Sequence, residues 1–353
     1  MKSRLLHCRL QGICLAAFLL ALIVGCQPET QSITEATTTR FEFERNAMGV
    51  LFRVIVYGKE RAQTENDFDE AWKTVEKLDS VLSDYKHDSE INQLCATAPH
   101  AAPVPISNTL RRALILSKEV YEKTNGAFDV TVGPSSRLWR TAIKRNRFPE
   151  PDEISEALQH VGMNKIEFHD DGSIRLTESG MQIDFGGIAK GMAADDLIMQ
   201  MNERGYANVL VDASGDVTAS GVPPGDKIWD VKVAAIDDYT PFRVALRDFS
   251  VASSGDWFQY IEHDGVRYSH IVDPRTGVGV THTSVVTIIA PTGTLADAYA
   301  TAFSVMPSEI ASGLVEHIPD VEALIVRKRK NESNFLLESS GLMQRLTREK
   351  PNQ

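Results

Sequence analysis

The run Met181-Gln182-Ile183-Asp184-Phe185-Gly186-Gly187-Ile188-Ala189-Lys190-Gly191 joins an apolar strand, ending in a carboxylate, to a double glycine and a helix with a lysine in its first turn. Glycines let a ligand approach the backbone. A helix N-terminus offers free N–H groups and the positive end of a dipole, and Lys190 adds a full charge. Such a turn suits a pyrophosphate. It is neither a Walker A loop nor a GxGxxG fingerprint, and a plain strand-to-helix turn with a surface lysine accounts for the same residues. In Thr294-Leu295-Ala296-Asp297-Ala298-Tyr299-Ala300-Thr301, Asp297 and Thr301 stand four apart on an expected helix, so both oxygens project from one face. A carboxylate and a hydroxyl, completed by backbone carbonyls and water, make a hard-oxygen set suited to Mg²⁺ or Ca²⁺. The spacing from Thr294 to Asp297 also fits a capping box, which on spacing alone is the simpler account.

Other segments offer weaker signals. Tyr268-Ser269-His270-Ile271-Val272-Asp273-Pro274-Arg275-Thr276-Gly277 ends in a turn sequence. His270, closing a strand beside that turn, can accept a proton near neutral pH, although a histidine there is more often structural. In SDYKHDSEINQL, from Ser83, and GAFDVTVGP, from Gly126, Tyr85 and Phe128 could flank a planar ring. Read plainly, the first is a charged loop and the second a core aromatic at a strand start.

Several elements must position these residues. Phe52 to Tyr57 alternates like a strand, and Asn66 to Ser83 places Phe68, Ala71, Trp72, Val75, Leu78 and Leu82 on one helical face. Ser107 caps a helix that stops at Asn125-Gly126, and Asp152 to Val161 is a shorter one closed by Gly162. Strands are expected at Lys165–His169, Ile174–Thr177, Gln182–Phe185, Ala207–Asp212, Trp229–Ile236, Phe242–Leu246, Phe258–Glu262, Arg267–Val272 and Ser284–Ile289. Helices are expected from Gly187, from Thr294 to Val305 and after Ser308, with Ala323 to Arg327 as the last strand. Strands and helices interleave irregularly, which makes the fold α+β, with mixed sheets and packed helices in one globular unit.

The chain has 353 residues, of which 42% are hydrophobic and 24% charged, enough to bury a substantial core. A net charge of −11 argues against a nucleic-acid surface, which needs clustered Lys and Arg. Residues 1–25 read as a signal peptide: Lys2, Arg4 and Arg9 precede an uncharged run from Ile13 to Gly25 that is short for a bilayer span. Ile23-Val24-Gly25-Cys26 resembles a bacterial lipobox, with Cys26 as the lipidated residue. The chain would then be exported and lipid-anchored, on the periplasmic face of the inner or outer membrane in a Gram-negative cell. Cys8 and Cys14 would leave with the signal, so Cys95 is the one thiol left and a disulfide framework is excluded. Residues 26–40 read as a flexible tether, 41–347 as the folded domain and 348–353 as a tail.

The order of the segments says more than any one of them. SDYKHDSEINQL, GAFDVTVGP, IDFGGIAKG, LVDASGD, ASSGDWFQY, RYSHIVDPRTG and APTGTLADAYATA resemble the ApbE family of FAD:protein FMN transferases, in full motif order from about Ala47 to Val305. The resemblance implies an ApbE-like unit, with two lobes and the site between them. It assigns FAD contacts to Met48, Tyr85, Ala127, Phe128, Asp129, Asp184, Lys190, His270 and Ile271, and Mg²⁺ (or Ca²⁺) to Asp297, Thr301 and the Gly187 carbonyl. It also implies catalytic roles for His270, Lys190 and Asp184.

The implied reaction moves FMN from FAD to a Ser or Thr hydroxyl of an exported FMN-binding-domain protein, such as a subunit of a membrane redox pump, and releases AMP. Hydrolysis of FAD to FMN and AMP, or flavin binding without catalysis, are the alternatives. Two departures stand out. Met48-Gly49-Val50 replaces the family's Met-Gly-Thr, and Ser214-Gly215-Asp216 replaces its Gly-Gly-Asp. The second is expected to bear on adenine or ribose and to leave the metal site untouched.

Overall fold

The computed structural model describes residues 38–225, 227–233, 242–255, 259–328, 335–342 and 346–348. The leader, Cys26 and most of the tether lie outside them, as do Asp256, Trp257 and Phe258 and all but the first residue of the tail. Thr38–Gln353 forms one compact unit.

In chain order the elements are β1 (Thr39–Ala47), β2 (Val50–Gly58), α1 (Arg61–Leu82), α2 (Glu90–Ala96), α3 (Asn108–Lys123), α4 (Gly133–Arg145) and α5 (Pro151–Gln159). Then come β3 (Ile166–Phe168), β4 (Ile174–Leu176), α6 (Ala189–Glu203), β5 (Val209–Ala213), β6 (Asp216–Ser220), β7 (Trp229–Lys232), β8 (Phe242–Leu246) and β9 (Ser250–Gly255). β10 (Tyr260–His263), β11 (Val266–Ser269), β12 (Val272–Asp273), β13 (Val278–Gly279), β14 (Thr283–Ala290), α7 (Gly293–Val305), α8 (Ser308–Val315), β15 (Glu322–Lys328), β16 (Phe335–Glu338) and β17 (Leu346–Arg348) follow.

An eight-stranded sheet in the order β1-β2-β5-β6-β9-β14-β15-β16 is the frame. Its neighbouring strands all pair antiparallel. Inner strands such as β5, β14 and β15 bury both faces and read as near-continuous apolar runs, whereas β1 buries only one face and alternates. On β14, Val286, Ile288 and Ala290 enter the main core, while Val285 and Ile289 enter a second core on the opposite face. The main core lies under α1, α6 and α7, through residues such as Phe68, Val75, Leu197, Met201 and Phe303. The second core joins Leu210, Val217 and Val251 of the large sheet to Trp229, Val244 and Leu246 of the small sheet β17-β8-β7. A third cluster gathers Trp139, Ile261 and Val272, so α4 packs on the β10–β13 region.

Several expectations are corrected. β1 begins at Thr39 inside the assumed tether, because Thr39 and Arg40 pair across to Gly58 and Tyr57. Gln182–Phe185 is not a strand. Gln182 makes one isolated bridge to Val132, the Asp184 N–H donates to the Val130 carbonyl, and the chain then turns at Gly186. β15 is not the last strand, since β16 extends the large sheet beside it. α4 is a helix that no expected element covers, and Gly126–Val132 ahead of it holds no strand. Among the described residues no helix is long and apolar enough to cross a membrane.

Candidate active site

The glycine turn and the Asp/Thr helix meet, as their chemistry requires. α6 and α7 cross so closely that a Cβ on Gly191 would lie 2.1 Å from the Gly293 carbonyl oxygen. Asp195 of α6 reinforces the crossing: its carboxylate accepts from the Gly293 and Thr294 N–H groups at 2.7 and 2.9 Å and from the Thr294 hydroxyl at 2.6 Å. These are free donors of the first turn of α7, so Asp195 caps a helix it does not belong to. The helix's own N-cap is Thr292, whose hydroxyl accepts from Leu295 N–H. The capping-box account of Thr294 and Asp297 therefore fails.

Asp297 points to α6 instead. It accepts from the Gly191 N–H at 3.2 Å and from Lys190 Nζ at 3.0 and 3.1 Å, while the same ammonium pairs with Asp216 at 2.9 Å. Burial is the largest influence on the Asp297 carboxyl and pushes it up to about 6, with Lys190 opposing and the Asp216 charge adding to the rise. Burial alone would lower Lys190, yet Asp297 and Asp216 outweigh it and hold the ammonium charged. One turn on, Thr301 faces Gly187, where a Cβ would fall 2.7 Å from Thr301 Oγ1. The departure in Ser214-Gly215-Asp216 lies at Ser214, which lines the same cavity, and it leaves Asp216, the partner of Lys190, in place at the start of β6.

A second wall comes from α4 and the loop after α1. Gly133 starts α4 against the segment carrying Asp184, where a Cβ would come within 2.4 Å of the Gln182 carbonyl oxygen. Pro134 fits the first helical turn, and Asn146, in a left-handed conformation, ends the helix. Val132, Ser136 and Arg140, spaced by four, line the cavity. Arg140 bonds Asp84 at 2.9 Å, Asp184, and the Tyr85 hydroxyl at 3.1 Å. Asp184 also accepts from the Gly186 N–H at 2.8 Å. Asp129 is turned to structural use, accepting from the N–H and hydroxyl of Thr131 at 2.8 and 2.6 Å and from Met163 N–H at 3.2 Å.

His270 follows β11. Its Nδ1 lies 3.2 Å from the Gln259 carbonyl oxygen. A carbonyl only accepts, so Nδ1 carries the hydrogen and Nε2 of the neutral ring carries the lone pair. The Asp273–Gly277 turn is pinned to α4 by Trp139 Nε1–H donating to the Gly277 carbonyl at 2.8 Å.

These elements enclose one cavity of about 450 Å³, within the range of small-molecule sites. It brings together Tyr85, Ala127, Phe128, Asp129, Asp184, Gly187, Lys190, His270, Ile271, Asp297 and Thr301. Met48 is not on the lining. It sits at the β1–β2 hairpin with φ 52, and its neighbour Val50 lines the cavity instead. Arg140, Asp216, Ser136 and Ser253 also line it, although no local motif marks them for a role.

The donors at Asp297, Thr301 and Gly187 fit a hard divalent cation. Asp297 is buried, and the close approach of Gly187 to Thr301 leaves a cradle that a side chain at 187 would fill. No group of three or more His, Cys, Asp or Glu residues suited to a metal occurs among the described residues, so any cation here rests on mixed oxygen donors.

The model of the ApbE family matches residues 48–325. A Treponema pallidum protein named FAD:protein FMN transferase is 33% identical over 299 residues, covering 79% of this chain and 82% of that one. A Haemophilus influenzae protein of the same name is 27% identical over 354 residues, covering 97% and 99%. The apo crystal structure of the Pseudomonas stutzeri flavinyl transferase ApbE superposes with a TM-score of 0.77 at 27% identity, covering 87% of this chain and 96% of that one.

Proposed function

The chain belongs to the ApbE family, and we propose that it transfers FMN from FAD to a Ser or Thr hydroxyl of an acceptor flavoprotein, releasing AMP. The observation that carries this reading is the convergence, on one cavity, of Lys190, Asp297, Thr301 and Gly187 with Tyr85, Phe128 and His270.

The FMN ring system lies by Tyr85 and Phe128, and the pyrophosphate by the Gly186-Gly187 turn at the N-terminus of α6. The acceptor oxygen attacks the FMN-side phosphorus; a new P–O bond forms, the bond to the AMP oxygen breaks, and AMP leaves. His270 takes the hydroxyl proton at Nε2, the nitrogen left basic by the Gln259 carbonyl. Lys190 offsets charge on the phosphate oxygens, and the fixed α6–α7 crossing supplies position. The lining carboxylates Asp129, Asp184, Asp216 and Asp297 outnumber the cations Lys190 and Arg140, a poor match for a bare pyrophosphate. Asp297, Thr301 and the Gly187 carbonyl would hold Mg²⁺ (or Ca²⁺), which when bound neutralises phosphate charge.

Export and lipid anchoring at Cys26 belong to the same proposal and rest on the leader sequence. Labelled palmitate should enter the chain in a bacterial host and not its Cys26→Ser variant. The acceptor would then be an exported protein, such as a redox-pump subunit.

The test incubates the full chain with FAD, Mg²⁺ and an exported FMN-binding-domain acceptor, following flavin fluorescence of the denatured acceptor together with AMP. A fluorescent band matched by AMP, and lost with EDTA, is expected. AMP with free FMN and no band, on an acceptor that a known transferase labels, would make the chain an FAD pyrophosphatase instead.

A further inference from the structure

Tyr85 is 76% exposed, unusual for a ring expected to hold a ligand. The backbone around it is well braced: Asn92 of α2 donates through Nδ2 to the carbonyls of Ser83, Asp84 and Lys86 at 3.2, 3.0 and 2.9 Å. The ring itself has one side-chain partner among the described residues, Arg140. The guanidinium donates to the phenol oxygen at 3.1 Å, and its carbon lies 5.4 Å from the ring centroid. Arg140 is in turn fixed from two sides, by Asp84 beside Tyr85 in the loop and by Asp184 of the glycine turn. It thus ties the loop to the turn across α4. A planar fork can meet two carboxylates and lie by a ring at once, which an ammonium cannot.

We propose that Arg140 is a positioning residue for the flavin half of the cavity: held by Asp84 and Asp184, it sets the attitude of the Tyr85 ring and so governs affinity for the flavin ring system rather than the rate of transfer. This rests on the reading of the cavity as a flavin-donor site. Without Arg140 the ring loses its restraint, and each binding event must order a mobile side chain, weakening binding by about tenfold.

FMN alone is the probe, because its binding needs neither acceptor nor transfer, and a tyrosine stacked on it quenches its fluorescence. The full chain should bind FMN with quenching. Arg140→Gln is expected to bind it about tenfold more weakly with the quenching lost, while single-turnover transfer at saturating FAD stays within about twofold. Tyr85→Ala, at an exposed position that does not threaten folding, should match it, and the double variant should bind no more weakly than Tyr85→Ala alone. Arg140→Lys should recover only part of the loss. Additive losses in the double variant, full recovery by lysine, or unchanged affinity with quenching intact in Arg140→Gln would each overturn the proposal. If the unaltered chain binds no FMN, the donor-site reading fails and this inference falls with it. FMN binding without transfer would refute the transferase reading while leaving the role of Arg140 to be decided by the same titrations.

Discussion

Gly191→Ala is the sharpest perturbation of the site, because it adds one methyl group and touches no side chain assigned a chemical role. The new Cβ would meet Gly293 O at 2.1 Å, Gly293 C at 2.3 Å and Thr294 N at 2.6 Å, all backbone atoms that cannot swing aside. Alanine is favoured over glycine inside a helix by ~0.5–1 kcal/mol. Parting two packed helices by about 1 Å costs ~1–3 kcal/mol, so the clash wins and the net effect is destabilising. Function should suffer more. Asp297 is held to α6 through the Gly191 N–H, and a shift of about 1 Å in a reacting group can cost about 100-fold in rate. Gly313 is the control: it also lies in a helix, α8, with nothing within 4 Å of its would-be Cβ. Gly313→Ala should stabilise by ~0.4–1 kcal/mol and leave transfer unchanged. Denaturant midpoints and single-turnover FMN transfer by the full chain read both effects. A Gly191→Ala protein as stable and as fast as the parent would refute the α6–α7 crossing as the element that sets the site.

Other substitutions test single groups. Asp297→Ala should abolish transfer even at saturating FAD and Mg²⁺, and full turnover in that variant would remove Asp297 from the site. His270→Ala should bind FAD normally yet lose at least about 100-fold in single-turnover rate; an unchanged rate would dismiss His270 as the proton acceptor. Cys95 should resist alkylation in the native chain at pH 8, because burial pushes its thiol up to about 11. Peptide mass spectrometry should find labelling of Cys95 rising only as pH approaches that value, and rapid labelling at pH 8 would contradict it.

Much of the site is legible in the sequence because its residues sit in short segments with local rules. Asp297 and Thr301 share a face by helical spacing, and Gly187 precedes a helix N-terminus whatever the rest of the fold does. Arg140 is hard to read from the sequence for an equally physical reason. Its helix opens on Gly133-Pro134, which reads as the end of a turn, although Pro134 in the first helical turn and Trp139, Ala142 and Ile143 at helical spacing are the signals that mark it. The partnership of Lys190 with Asp216 has no local signature, since it depends on α6 packing against β6. Likewise β9 pairs with β14 across more than thirty residues, from Ala252↔Ile288 to Ser250↔Ala290, and no local pattern encodes such a partner. β1 was hidden by its neighbours: Thr39 and Arg40 follow a Thr- and Glu-rich stretch, and only pairing with β2 makes them strand.

The two walls of the cavity are held by different means, and this divides what their residues can do. The wall with Asp297 and Thr301 stands on two helices whose separation is fixed by backbone contact at Gly191 and by a half-buried carboxylate, Asp195, bonded to three donors of its neighbour. Nothing there moves without breaking a cap, which suits groups that must stay aligned with a reacting phosphorus. The wall with Tyr85 stands on a loop whose backbone is braced by one asparagine and whose ring is restrained by one guanidinium. Substitutions on the helical wall should therefore appear as lost rate at saturating FAD, and those on the loop wall as lost affinity at unchanged rate. The contrast between Gly191→Ala and Arg140→Gln measures that division directly.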